Sequence, residues 1–388
     1  MPKPLYYTQR LYIYNMLNVL SLVSYRFLPP KMGGQKGIAF FYDYLAVHVN
    51  LTCVTTKEND PSAVSNYEVL NILSNSGLRY IDIFYFFTLR KIIREKKITH
   101  LIIEHPYYGW LGVLLKCFYK IKLVVHSHNI EALRFKSTGR WWWGVLWQYE
   151  KYTHQQADAN FFIHDDDRNF AVEKFKLAAG KCETITYGFE LQNLPAPEEK
   201  ILAKNNLCKQ YQVDADTKLL LFNGTLDYKP NLDAVDIILQ HINPLLLSND
   251  HFKYKIIICG KGLPSRYDEL KSFASKNIIY AGFVDDINIY FKGADIFINP
   301  VTDGGGIKTK VVEALGYGLS VISTQSGATG VPIGITGDKL KIIADKDWDE
   351  FAKQASVLNT ASTIPKNFFD HFYWGNIAGK ASAFINRI

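Results

Sequence analysis

Short apolar, β-rich runs alternate with helical patterns from one end of the chain to the other, and this alternation limits the fold more than any other feature. Runs expected as strands lie at 19–24, 47–56, 100–105, 122–128, 160–164 and 183–187, and again at 219–223, 255–259, 277–280, 295–299, 320–324 and 341–344. Strand, helix and strand in steady succession build parallel sheets, so the expectation is an α/β protein of two doubly wound, Rossmann-like domains. The break lies near 191–199, where Pro195 and Pro197 remove backbone donors and disfavour helix in a polar stretch. A first domain is therefore expected over 1–193 and a second from 194 onward, with no fixed-period repeat in either.

The 388 residues exceed one ordinary core and suit two. An apolar share of 48% against 21% charged excludes a disordered chain. The best apolar stretch, 11–23, is broken by Asn15 and Asn18, falls short of the roughly 18 residues that span a bilayer, and lacks a small-residue cleavage site. The five cysteines stand singly, without metal or redox spacing, which suits a reducing compartment. Cytoplasmic residence is the expectation. The net charge of +7 lies wholly in residues 1–193, while the remainder balances to zero. A basic, aromatic-rich half fits nucleic acid, an anionic membrane surface or plain solubility, and charge alone does not choose among them.

Open α/β sheets bind ligands beyond the carboxyl ends of their strands. The richest such segment follows the run 295–299: Pro300, then Gly304, Gly305 and Gly306, then Ile307-Lys308-Thr309-Lys310 and a helix to Gly318 with Glu313 about two turns in. Glycines before a helix let backbone N–H groups approach an anion, and the helix end adds favourable potential. Lys308 and Lys310 bring positive charge to the same turn, which makes a pyrophosphate site, and Glu313 could accept hydrogen bonds from sugar hydroxyls. The plainer reading is a glycine turn with a solvated lysine pair.

This segment resembles the donor site of GT-B glycosyltransferases, family 4 in particular, and the subgroup whose motif reads Gly-Gly-Gly-x-Lys-x-Lys-x-x-Glu-Ala. Phe222–Asn231 is similar to the first loop of that family's C-terminal domain, and 281–286 to its nucleobase loop. Arg26–Pro30 with Gly33 and Gly34 resembles the glycine loop after the first strand, on the acceptor or phosphate side. Residues 126–131 resemble the segment carrying the family's active-site histidine. The resemblance implies a GT-B fold of two facing Rossmann-like domains, with the chain crossing back to the first domain over about 370–388 and the second domain ending near 369. It implies a glycosyltransferase that moves a sugar from a nucleotide-sugar, UDP- or GDP-linked, to a hydroxyl of a glycan or lipid-linked glycan. The reaction is usually retaining and metal-independent, no cofactor is permanently bound, and relatives commonly act in surface polysaccharide assembly. The implied donor-binding residues are Gly224, Lys229, Val284, Asp303, Gly304, Gly305, Gly306, Ile307, Lys308, Thr309, Lys310 and Glu313, with His128 and Glu313 as the catalytic pair. Two departures stand out. A second glutamate usually sits eight positions before the one matching Glu313, where this chain has Gly305, and the nearest acid is Asp303. Thr225 stands where arginine is common, which leaves Lys308, Lys310 and Lys229 to supply counter-charge. A nucleotide-sugar epimerase of the same fold and a catalytically silent sugar-nucleotide binder are the rival readings.

His126 and His128, alternating on one strand, could begin a metal site, but no third ligand lies close in sequence, and no metal is expected. Asp165-Asp166-Asp167 reads as a metal cluster or, more simply, as the start of a helix. The stretch 80–97 is aromatic first and basic later, and Trp141-Trp142-Trp143 follows Lys136 and Arg140. Both read either as core packing with a solvated end or as peripheral contact with an anionic membrane. No recognition module for nucleic acid accompanies the basic half.

Overall fold

A computed structural model describes residues 16–30, 33–304 and 306–388. Gly305 and the 11–15 part of the N-terminal apolar stretch lie outside the described residues. The chain divides into two compact units. One holds the chain up to Phe162, Arg168–Ile185 and Ala378–Ile388, and the other holds Ile163–Asp167 and Thr186–Ile377.

The first unit is built on a seven-stranded, all-parallel sheet. Its strands are β1 (Asn18–Leu22), β2 (Asn50–Thr56), β3 (Glu68–Leu73), β4 (His100–Glu104), β5 (Lys122–Ser127), β6 (Ala159–Phe162) and β7 (Cys182–Thr184), in the order β3-β2-β1-β4-β5-β6-β7. Helices α1 (Gly33–Leu45), α2 (Phe84–Glu95) and α3 (Gly109–Tyr119) follow β1, β3 and β4. Leu20, Leu22, Leu101, Ile103, Leu123 and Val125 occupy alternate positions of three neighbouring strands and meet Leu89, Ile92 and Leu111 of α2 and α3 in one core. β3 is absent from the sequence expectation. It is an edge strand, it opens on an exposed Glu68 and carries Asn71, so only one neighbour's packing marks it.

The second unit repeats the plan with six parallel strands, β8 (Lys218–Asn223), β9 (Tyr254–Cys259), β10 (Ile278–Gly282), β11 (Ile296–Asn299), β12 (Ser320–Thr324) and β13 (Leu340–Ile343), ordered β10-β9-β8-β11-β12-β13. Leu219, Leu221, Ile257 and Phe297 face one core, whereas Leu220, Phe222, Ile256 and Ile298 face the other. Both faces of the sheet are covered, which is why these strands read as unbroken apolar runs. The order reverses between β8 and β11, so the crevice for a ligand opens beyond their carboxyl ends. Pro197, expected to disfavour helix, instead begins the helix Pro197–Tyr211, where its missing N–H costs nothing.

Candidate active site

In the second unit the loops leaving β8 and β11 come together. Gly224 follows β8 with no room for a side chain, because an added Cβ would lie 2.7 Å from the Asn231 side chain. Asn231 accepts from Lys310 Nζ at 3.0 Å, and Lys310 also reaches the Asn223 carbonyl at 3.4 Å and lies over the Phe222 ring. Burial of that ammonium, with the Lys308 charge beside it, pushes Lys310 down to about 7. Lys308 is buried, donates to the Gly304 carbonyl and is also held below the usual lysine range by burial. Gly304 and Gly306 have φ of 98° and 73°, the left-handed region that favours glycine. A Cβ on Gly304 would come within 3.5 Å of Tyr228 Oη and 3.7 Å of Lys308 Nζ, so the glycine loop and the β8 loop share one small space. Asp303, which is exposed, accepts from its neighbour's Gly304 N–H.

The helix after the glycines starts later than the sequence implied. It runs over Thr309–Gly316, which puts Glu313 one turn in rather than two, because the glycine backbone at 304 and 306 is not helical. Gly318 has φ 77° and closes the helix, with its N–H on the Leu315 carbonyl. Glu313 Oε1 accepts from Tyr187 Oη at 2.9 Å. Burial and that carboxylate hold the Tyr187 phenol well above its ordinary range, so it remains a donor. Ile307 and Val284 are half-buried against the core. Lys229 differs from the other lysines: its side chain is 80% exposed and pairs with Asp233 at 2.5 Å.

In the first unit a second constellation forms at the carboxyl ends of β4 and β5. Glu104, sealed from water, takes His126 Nδ1 at 3.0 Å and the Tyr42 hydroxyl at 2.5 Å on one oxygen. Its other oxygen takes His128 Nε2 at 2.6 Å. Burial alone would raise this carboxyl, but the two imidazoles hold it well below the ordinary range. β5 ends at Ser127, so His128 lies one residue past the strand rather than on it. The His128 side chain keeps 14% exposure, whereas that of His126 is sealed at 3%. The His105 ring sits 4.7 Å from that of His128, with Nδ1 3.0 Å from Glu131 Oε1 and Nε2 3.0 Å from Tyr25 Oη. His105 adopts φ 61°, a strained backbone for a non-glycine residue. His128, His105, Glu131 and Tyr25, with Gly34, Tyr80, Tyr107 and Arg134, line a cavity of about 660 Å³. Gly33 begins α1.

Glu104, His126 and His128 bring one ligand atom each to within 4.8 Å of one another, the number of protein ligands a catalytic zinc uses. Both Glu104 oxygens are already occupied by hydrogen bonds from the two rings and Tyr42. Asp165, Asp166 and Asp167 form the first turn of the helix Asp165–Lys174, and Asp167 pairs with His164 at 3.1 Å.

Comparison with known proteins follows this division. A family model described as Glycosyltransferase Family 4 matches residues 42–193, and one described as Glycosyl transferases group 1 matches 217–360. The chain is a GT-B glycosyltransferase resembling family 4. Among curated relatives, an uncharacterized 44.6 kDa protein in the cps region of Klebsiella pneumoniae is 28% identical over 133 residues, spanning 33% of this chain and 34% of its own length. The O-antigen biosynthesis glycosyltransferase WbnH of Escherichia coli is 25% identical over 289 residues, 70% of this chain and 74% of that protein. The fold matches sucrose-phosphate synthase from Thermosynechococcus elongatus, with TM-score 0.72, 13% identity and coverage of 96% and 98%. It also matches Anabaena Alr3699/HepE in complex with UDP and glucose, with TM-score 0.67, 14% identity and coverage of 96% and 100%.

For the glycosyltransferase, the structure gathers Gly224, Gly304, Lys308 and Lys310 in the second domain and leaves Lys229 at the surface. In the first domain the sequence reading named His128 and passed over Glu104, His105 and Glu131, which the structure sets beside it. The signal for Glu104 was a lone acid ending an apolar strand, and a buried carboxylate there calls for partners.

Proposed function

We propose that this glycosyltransferase moves a sugar from a nucleotide-sugar, UDP- or GDP-linked, to a hydroxyl of a glycan or lipid-linked glycan, with retention and without a metal. Its place would be surface polysaccharide assembly on the cytoplasmic side. The observation that carries this reading is the Lys308–Lys310 pair beside left-handed glycines at the β8/β11 switch point. Among the described residues Lys310 has only neutral carbonyl oxygens as hydrogen-bond acceptors, and burial with the Lys308 charge beside it disfavours its charged form. A donor diphosphate supplies that anion. As the bond to the sugar breaks, charge grows on the leaving diphosphate, and preorganised ammonium groups and glycine amides stabilise it most at that moment. Glu313, steadied by Tyr187, holds the donor ribose, and His128 contacts the transferred sugar or the acceptor. The acceptor's proton passes to a leaving phosphate oxygen, so no dedicated protein base is required. The HepE complex with UDP and glucose favours UDP among the bases.

A thermal-shift panel of UDP, GDP, ADP, CMP and their sugars tests this. A ligand that binds only the folded state raises the melting temperature with ln(1 + [L]/Kd). One diphosphate is expected to stabilise the wild type and to lose that effect in Glu313→Ala. No shift from any nucleotide at millimolar concentration would sink the donor site. Turnover unchanged by EDTA would support metal independence, and its loss, restored by a divalent ion, would overturn it.

A further inference from the structure

The aromatic-then-basic stretch resolves into two faces. Tyr85, Leu89, Ile92 and Ile93 are buried in the first domain's core. Phe84 and Phe87 lie on the opposite face of α2 and are exposed, and Ile81 and Ile83 just before the helix are exposed too, with Ile81 74% and Phe84 72% accessible. Phe118 of α3 joins them: it is 68% accessible, and Phe86 touches both its ring and that of Phe87. Exposed large apolar side chains are unremarkable singly, but five in one place mark a contact surface.

What the surface contacts follows from its surroundings. Further along the same exposed face of α2 come Lys91 and Arg94, with Lys97 just beyond. Among the described residues of this stretch the acids are Asp82, which caps the helix at the Phe84 N–H, and Glu95, 3.8 Å from Lys91. In a two-fold contact between copies this basic edge would enter the same interface twice, with Asp82 and Glu95 as the acids of the stretch to offset it. An apolar patch edged by basic side chains matches instead the boundary between acyl chains and anionic headgroups. The patch also adjoins the cavity that His128 lines. Tyr80 lines that cavity and Ile81 is the next residue, while Trp142 lines it and Trp141 beside it is 87% accessible.

We propose that Ile81, Ile83, Phe84, Phe87 and Phe118 seat the first domain on an anionic lipid surface, so that a lipid-anchored acceptor reaches the cavity beside His128. The acceptor's class rests on the transferase reading, whereas the docking surface stands without it. The test is co-sedimentation of the full chain with phosphatidylcholine vesicles, with and without phosphatidylglycerol, for the wild type and for Phe84→Asp/Phe87→Asp. The wild type is expected to partition onto the anionic vesicles and to lose about tenfold in affinity as salt rises from about 0.05 to about 0.5 M, by order of magnitude for a few screened contacts. The variant is expected to stay in solution while its melting temperature and nucleotide shift match the wild type. A wild type that ignores both vesicles, or a variant that binds equally well, overturns the proposal. So does sedimentation velocity showing a wild-type dimer that the variant abolishes, which would make the patch a contact between copies. A nucleotide panel without any shift on the same samples would defeat the transferase reading and leave the vesicle result intact.

Discussion

At the scale of single residues, the two domains place their charges by opposite devices. Glu104 is a buried anion with three donors, and Lys310 is a half-buried cation whose acceptors among the described residues are neutral. Glu104 holds His128 by its Nε2, so on the proposed contact of His128 with the transferred sugar or the acceptor, Glu104→Gln is expected to lower kcat on the order of 10²-fold with the donor KM unchanged. Steady-state kinetics across pH checks it, because a merely structural role would leave the shape of the profile unaltered. Lys310 makes a prediction with a definite sign. Free, it loses its proton near 7, and a bound diphosphate raises that value. Binding at about pH 8 therefore takes up a proton, and affinity falls about tenfold per unit as pH rises above 7, by proton linkage. Calorimetry in two buffers of different ionisation enthalpy measures the uptake, and Lys310→Met should abolish it. His128, Lys308 and Lys310 were legible in sequence because motif and spacing are local. Glu104 was not, since it lies 22 and 24 residues from its imidazoles and meets them only through the β4–β5 pairing.

At the scale of elements, glycine geometry decides what the loops can hold. Between β8 and its helix, Gly224 packs so closely on Asn231 that any side chain must displace the residue to which Lys310 bonds. Gly224→Ala is expected to cost about 1–3 kcal/mol of stability by overpacking and to weaken nucleotide binding at least about tenfold, read by denaturant melts and titration. The glycine run after β11 read in sequence as the mouth of a helix. The positive φ of Gly304 and Gly306 is not helical, and that moves Glu313 a turn closer to the helix start than its spacing from the glycines implied. Strands β8 and β11 were plain in the sequence because both faces are buried and nearly every residue is apolar, as in Leu219-Leu220-Leu221-Phe222. β3 was hidden for the converse reason, as an edge strand with Glu68 exposed and only Leu73 fully buried.

At the scale of the whole molecule, one plan is used twice and then specialised. Each sheet is parallel, and each reverses its order beside its first strand, at β1/β4 and at β8/β11. That repetition is what the alternating sequence declared, and a Leu221→Ala change in the second core should cost about 2–5 kcal/mol, as for other buried leucines. The specialisation follows charge. The histidine–carboxylate cluster and the basic excess belong to the first domain, and the paired lysines with their glycine loop belong to the second. The division of labour is tested most directly by titrating the stabilising nucleoside diphosphate into the wild type, Glu313→Ala and Glu104→Gln. The account predicts that Glu104→Gln binds within about twofold of the wild type, well inside about 1 kcal/mol, while Glu313→Ala binds at least about tenfold more weakly. Equal binding by Glu313→Ala, or loss of binding in a folded Glu104→Gln, would contradict it.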